Sequence, residues 1–361
     1  MRKQHEITSC RGVYSWLDEE RNSAENTGGG EYTRLRLRLR SEFKVLYDAG
    51  VPMFPKETIR ATHEQLEQPL ENGKKIVIYG MDGVPVYYDI EVGNVDEDET
   101  PESFEYVMRD PCLSYRTYQS IMRYDYMHPY LTFAPIELSH YRGTRNKITK
   151  EFEREPLAPY EEIEKVFNDS KLQWEAGETC KQLRSTLMNA KVPLGIDKIV
   201  GLSLGRMAEH MEEYRARPAV QHAMVLTLQD VMATKLGSSS IKCYAQDPWY
   251  SEVDISLLEN SGITILDDPE AWLEIDDSSI VFSVASNAPV KQIVSDIARP
   301  AVIIWEKMRE GEIDEERYTT DPYSPRVRDM LRDFYDEFEF LRDEENFSNL
   351  AIFIRRTESA D

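Results

Sequence analysis

The chain has 361 residues, 41% of them hydrophobic, and its 66 acidic against 43 basic residues leave a formal charge of -23. That length and apolar content fit a globular protein of one large or two ordinary domains, while the acidic balance argues against a binder of duplex DNA or of an anionic membrane surface. Cys10, Cys112, Cys180 and Cys243 are far apart with no CxxC pair, and no apolar run reaches membrane-span length, so no zinc site, disulfide framework or membrane anchor is expected.

Residues 1–30 end in Asn26-Thr27-Gly28-Gly29-Gly30 and read as a flexible N-terminal segment. Residues 31–190 form a mixed helical and hairpin region. It opens on Arg34-Leu35-Arg36-Leu37-Arg38-Leu39-Arg40, the most basic stretch of the chain. As a strand, this stretch would set Arg34, Arg36, Arg38 and Arg40 on one face, one every ~6.8 Å, a spacing that can follow phosphates. As a helix running to Gly50, it would bury Leu35, Leu39, Phe43 and Leu46 and leave the arginines in solvent. Pro55-Lys56-Glu57 starts a second helix, to about Glu67. Lys75–Tyr79 and Val84–Tyr88 flank Asp82-Gly83 as a hairpin. Asp96 to Glu102 is an acidic loop, residues 103–150 are aromatic-rich and irregular, and Tyr160 to Met188 has helical periodicity up to the break at Ala190 and Pro193.

From 191 to 356 the pattern becomes regular. Strands are expected at Ile199, Ile241–Ala245, Ile263–Leu266, Ile280–Val284, Ala301–Trp305 and Leu350–Arg355. Helices are expected near Arg206–Glu213, from Arg217-Pro218, and at Ser251–Asn260, Ala271–Ile275, Val290–Ala298 and Ser324–Leu341. Such alternation predicts an α/β fold, a Rossmann-like and mostly parallel sheet with helices on both faces.

Ligands of such sheets gather beyond the carboxyl ends of the strands. Those ends collect Gly201, Leu202, Ser203 and Gly205, then Gln246, Asp247 and Pro248, Asp267 and Asp268, Ser286 and Asn287, and Glu306. A serine, carboxylates and an amide at one edge can support nucleophilic or acid–base chemistry. No histidine falls among them; His210 and His222 are expected in surface or capping roles. Gly201-Leu202-Ser203-Leu204-Gly205 is similar to a nucleophile elbow, but no histidine follows His222, which removes a hydrolase triad. The turn also lacks the G-x-G-x-x-G spacing of a dinucleotide site, and no phosphate-binding P-loop is present. No cofactor and no metal is expected. Ser203 keeps two readings, a nucleophile or the cap of a following helix.

The tracts Ile199–Gly205, Gln221–Asp230, Tyr244–Pro248, Leu257–Leu266, Ala288–Ile293 and Ser324–Arg328 together resemble the Sensitivity to Red Light Reduced (SRR-like) family, with the long N-terminal half similar to that of filamentous-fungal members. The resemblance implies a Rossmann-like domain with regulatory roles, in plants linked to light and clock signalling, acting through protein partners. Ile199–Leu204 also resembles the tract around the nucleophilic serine of cyclodipeptide synthases, whose fungal arginine-specific members take aminoacyl-tRNA, including arginyl-tRNA. SRR-like members expected to be non-catalytic have glycine where Ser203 stands. On this resemblance Ser203 would accept the acyl group, with Asp247 and Glu306 holding the amine. Gly201, Leu202, Gly205, Ser286 and Asn287 would line the substrate, and Arg34, Arg36, Arg38 and Arg40 would meet tRNA phosphate. The enzyme's downstream Tyr and Glu motif is not recognisable. Ser203 and the arginine tract put first an aminoacyl-tRNA-dependent cyclodipeptide synthase of fungal secondary metabolism, with arginine as one substrate; the alternative is a non-catalytic regulator acting through protein partners. The expected setting for either is the cytoplasm, with the nucleus as a second compartment.

Overall fold

The computed structural model describes residues 8–9, 30–96, 102–123, 131–237, 240–309, 311 and 319–357. The expected flexible segment 1–30 lies outside these, apart from residues 8, 9 and 30, and so does most of the Asp96–Glu102 loop. The chain divides into two compact units, Met1–Glu155 and Pro156–Asp361.

In the first unit a short β1 (Thr8–Ser9) is followed by α1 (Gly30–Asp48) and α2 (Lys56–Leu66). The Arg34–Arg40 stretch is helical. Phe43 and Tyr47 are buried, and Leu35, Leu39 and Leu46 are partly buried, so the apolar stripe takes the side chains that a strand would have set opposite the arginines. The expected hairpin forms from β2 (Lys75–Tyr79) and β3 (Pro85–Asp89). The described part of residues 103–150 is not irregular. It follows β4 (Val95–Asp96) with two long antiparallel strands, β5 (Phe104–Tyr115) and β6 (Ile136–Asn146), on either side of α3 (Tyr118–Arg123), in the sheet order β1-β6-β5-β4. A register shift between Met108 and Pro111, at exposed Arg109 and Asp110, breaks the alternation that would have announced β5.

The second unit begins with α4 (Tyr160–Ala176) and α5 (Glu178–Asn189). Their buried Ile163, Phe167, Trp174, Leu183 and Leu187 share one core with the sheet that follows. That sheet takes β7 (Lys198–Leu202), α6 (Ala216–Leu236), β8 (Lys242–Gln246), α7 (Glu252–Asn260), β9 (Thr264–Ile265) and α8 (Glu270–Glu274) in turn. It continues with β10 (Ser279–Ser283), α9 (Val290–Ile297), β11 (Val302–Glu306), α10 (Pro325–Phe334), β12 (Tyr335–Glu339) and β13 (Leu350–Arg355). The spatial order is β12-β13-β11-β10-β7-β8-β9, parallel throughout except that β13 runs antiparallel to β11 and β12.

Ile199, Ile280, Phe282, Val302 and Ile304 face the core shared with α4, α5, α6 and α7. The alternate residues of the same strands face α8, α9 and α10. Both faces are therefore covered, and the central strands are almost wholly apolar, as burial on two sides demands. The chain steps from β7 to β8 to β9 in one direction and then returns to place β10 on the other side of β7. The chain after β7 and the chain after β10 consequently lead to helices on opposite faces of the sheet.

One expected helix is shorter than its pattern and another is absent. The Ser324–Leu341 helix stops at Phe334, and Tyr335–Glu339 pairs with β13 instead. Buried Tyr335 donates its phenol to Pro300 O (2.8 Å), and the Arg356 N–H bonds to Phe334 O (2.8 Å). The helix near Arg206–Glu213 is replaced by a loop with one short 3-10 turn, Glu212–Tyr214, for reasons found in the site itself.

Candidate functional site at the carboxyl edge

Each residue of the Gly-x-Ser-x-Gly turn has its own physical reason. A Cβ on Gly201 would sit 2.7 Å from Leu204 Cδ1 and 3.3 Å from Val225 Cγ2, so this glycine serves the close packing of β7 against α6 rather than the approach of a ligand. Leu202 is buried within the sheet and Leu204 within the core, so both leucine side chains serve packing in this structure. Gly205 has φ +80° and its N–H donates to Asp247 Oδ2 (2.8 Å). Gly205→Ala should cost about 1–2 kcal/mol, the penalty of a side chain in left-handed backbone. A Cβ there would also press on Pro218 Cγ at 3.2 Å. Urea unfolding of the variant against the parent measures that loss.

Ser203 also has left-handed backbone, with φ 58°, and so does Ala285 (φ 48°) in the facing loop after β10. Ser203 N–H donates to Gln246 O (3.1 Å), which pins the turn to β8. Its Oγ lies 2.7 Å from Ser286 Oγ, and Ser286 Oγ also accepts from Ala288 N–H (3.0 Å). Ser203 is partly exposed, Ser286 is buried, and Asn287 beside them is exposed. The edge therefore brings Ser203 and Ser286 together as a hydroxyl pair. No helix starts at Ser203, since the next one begins at Ala216, so the capping role is excluded.

The carboxylates expected to serve a substrate are mostly turned to the protein. Asp247 spends both oxygens on backbone, accepting from Gly205 N–H at one and from Trp249 N–H (2.9 Å) at the other. Burial pushes its pKa up, against the pull of those two N–H groups. Asp268 accepts from Gln246 Nε2 (3.1 Å) and Trp272 Nε1 (3.0 Å). Glu306, at the end of β11, is partly exposed; its backbone carbonyl accepts from the Tyr323 phenol (2.6 Å). Of the proposed carboxylate pair, then, Asp247 is committed to its own loop and Glu306 alone faces outward.

Sequence reasoning missed the groups that hold the 203–215 loop. Asp254, fully buried on α7, accepts at Oδ1 from Met207 N–H (2.8 Å) and Ala208 N–H (3.0 Å), and at Oδ2 from Ser251 N–H (2.9 Å). These backbone donors turn to carboxylates instead of to carbonyls four residues back, which explains the missing helix. Arg215 donates to Glu209 O (2.6 Å), His210 O (2.8 Å) and Glu162 Oε1 (2.6 Å), tying the far end of the loop to α4. The Ser251-x-x-Asp254 spacing was a legible capping box, and both of its hydrogen bonds form, but nothing in it signalled the second task of Asp254.

His222 is fully buried rather than superficial, whereas His210 is exposed as expected. His222 Nδ1 lies 2.7 Å from Pro218 O, and a carbonyl can only accept, so the proton is on Nδ1 and Nε2 accepts from the Tyr250 phenol (2.6 Å). Burial holds this imidazole down at about pKa 4 and raises that of Tyr250 well above its usual value. Neither shift activates a nucleophile. Lys291 on α9 and Asp321 form a buried ion pair (2.7 Å) that fastens the segment after β11 over α9. Burial raises the Asp321 pKa against the pull of Lys291.

The Arg34–Arg40 stretch belongs to the first unit. Arg34 and Arg38 are exposed, Arg38 facing Glu42 (3.7 Å), while Arg36 and Arg40 are partly buried and Arg40 donates to Ile121 O (3.0 Å). The helix thus separates the four arginines into two pairs, and no single row of four exists. Among the described residues no cluster of His, Cys, Asp and Glu is fit to hold a metal, and no helix is long and apolar enough to cross a membrane.

These features define an α/β domain with a mostly parallel sheet, helices on both faces and a hydroxyl-lined carboxyl edge. Residues 179–354 match the family model of the SRR1 domain, and this part of the chain is an SRR1 domain. Neither the curated proteins nor the solved structures contain a significant match. The likeness to cyclodipeptide synthases finds no support in these comparisons.

Proposed function

We propose that the SRR1 domain is a non-catalytic regulatory module that holds a small molecule at the carboxyl edge, between the loops after β7 and β10, and acts through protein partners. The Rossmann-like reading of the sheet is part of this proposal. It is supported by the reversal of strand order between β7 and β10, where open α/β sheets place their ligands. One observation carries the choice of a non-catalytic role: the Ser203 hydroxyl is paired with the Ser286 hydroxyl, while Asp247 is committed to the backbone. A serine nucleophile needs a base or an electropositive setting, and a second hydroxyl supplies neither. The buried, free thiols Cys112, Cys180 and Cys243 fit a reducing compartment, and the cytoplasm is the setting proposed.

Acyl transfer from aminoacyl-tRNA is the second reading. It is favoured by the left-handed turn at Ser203, which leaves that residue partly exposed at the tip of the strand. An aminoacyl ester is already activated, so positioning alone would carry much of such a transfer. In that case exposed Arg34 and Arg38 would be the residues offered to tRNA phosphate. Expression of the full chain and of Ser203→Ala in a microbial host, with mass spectrometry of the extracts, separates the two readings. We expect no diketopiperazine from either. Product from the parent that disappears in Ser203→Ala would overturn the regulatory reading in favour of the enzyme.

A further inference from the structure

Among the described residues of the second unit, two buried side-chain polar atoms have no hydrogen-bond partner, Ser283 Oγ and Trp305 Nε1. They are not scattered. Phe282 pairs with Ile304 in the β10–β11 ladder, so Ser283 and Trp305 occupy the next positions of the same two strands. Phe282 and Ile304 face the core shared with α4 to α6, which turns Ser283 and Trp305 to the α9 side. Ser283 also pairs with Leu202, the residue before Ser203. The two partnerless atoms therefore sit at the last turns of adjacent strands, directly inward of the Ser203–Ser286 edge.

Other buried polar groups around them are satisfied. Gln246 is bonded to Asp268 and to Ala271 N–H, Lys291 to Asp321, Gln292 to Pro322 O, and Ser295 to Gln292 O. Native interiors pair nearly all their polar groups, and exceptions concentrate where something else is bound or done. Both exceptions of this unit fall at neighbouring register positions on the edge where such a sheet takes its ligand.

We propose that Ser283 and Trp305 form the inner wall of the edge site and receive one carbonyl oxygen of an uncharged small molecule; this rests on the reading of that edge as a binding site. The indole N–H can only donate, and the serine hydroxyl can donate beside it, so their common ligand atom is an acceptor. Ser283 and Trp305 are register neighbours on adjacent strands, and the two lone pairs of one carbonyl oxygen can serve two donors. The acceptor is uncharged because no net positive charge waits for it. Lys291, in the covering helix, is neutralised by Asp321, and the residue after Trp305 is the carboxylate Glu306. An anion buried there would be unpaired.

Two measurements on the full chain test this. Ser283→Ala removes a hydroxyl that has no partner in the free protein, so its melting temperature should rise, by about 2–4 °C. A fall would mean that the hydroxyl was already satisfied and would overturn the proposal. Selective 15N labelling of tryptophan, with Trp305→Phe identifying the peak, then reports on the indole N–H. Millimolar 2-pyrrolidone, a neutral lactam, should move the Trp305 peak saturably, and Ser283→Ala should weaken that binding at least about fivefold, the loss of one hydrogen bond. Acetate should leave the peak in place. A peak unmoved by the lactam, or moved equally by acetate, overturns the assignment. Ligand binding that responds to Ser203 or Ser286 substitution while Trp305 stays still would keep the edge site and remove only its inner wall.

Discussion

Asp254→Ala should destabilise the second unit by about 4 kcal/mol, since several donors lose a buried carboxylate together, each such charged hydrogen bond being worth roughly 1.5–3 kcal/mol. The side chain is fully buried and accepts from Met207, Ala208 and Ser251 N–H. Met207 and Ala208 are themselves buried, so water does not readily replace the lost acceptor. The capping box of α7 is lost in the same substitution. Asp254→Asn keeps one acceptor oxygen but turns an amide N–H toward other donors, and about half the loss is expected. Urea unfolding at neutral pH measures both. The structure also predicts where the damage starts: limited proteolysis should cut Asp254→Ala between residues 206 and 213 before it cuts any strand. An Asp254→Ala protein as stable and as protease-resistant as the parent would show that the loop is held by something else.

The same loop explains what could and could not be read from the residues in a line. Strands such as Ile199–Gly201 and Ile280–Val284 are short apolar runs set between helical stretches, and local pattern suffices to find them. The alternation from Gly195 onward therefore translated directly into a covered parallel sheet. The carboxyl-edge residues followed, because topology alone places strand ends together. What failed needed partners distant in sequence. Residues 206–213 have helical composition, yet the Met207 and Ala208 N–H groups are taken by Asp254, and that of Gly205 just before them by Asp247, more than 40 residues later. Tyr335–Glu339 continues a good helical pattern and becomes a strand because β13 offers it a ladder. Ser203 and Ser286 were each legible as edge residues, but their 2.7 Å pairing was not. The roles of Gly201, Lys291 and Trp305 likewise depend on side chains met only through packing or register.

Acidification should weaken this protein through His222, and the sign follows from its surroundings. The imidazole is fully buried, donates from Nδ1 to Pro218 O and accepts at Nε2 from Tyr250, so a second proton would have to displace the phenol's own and be buried as a charge. Burial lowers its pKa from 6.5 to about 4. Between those values the unfolded chain binds a proton that the folded chain refuses, so acid favours unfolding. The His222 contribution is complete above about pH 6.5 and falls away progressively toward pH 4, where about 3 kcal/mol has been lost at roughly 1.4 kcal/mol per pH unit. Asp247 and Asp321 act in the opposite sense. Their carboxyls are raised by burial, so their neutral forms are favoured in the folded state and they regain stability as the pH falls through their folded values. Comparing variants isolates the histidine from them. His222→Gln keeps a donor and an acceptor on the ring's axis without a titrating group, so its unfolding free energy should fall much less than the parent's between pH 6.5 and 4. The measurement is urea unfolding at several pH values across that window. Parallel pH profiles for the two proteins would mean that His222 is protonated as easily in the folded state as in the unfolded one. In that case the Tyr250 phenol would no longer be donating to it, and the packing of α6 against the loop after β8 would need a different account.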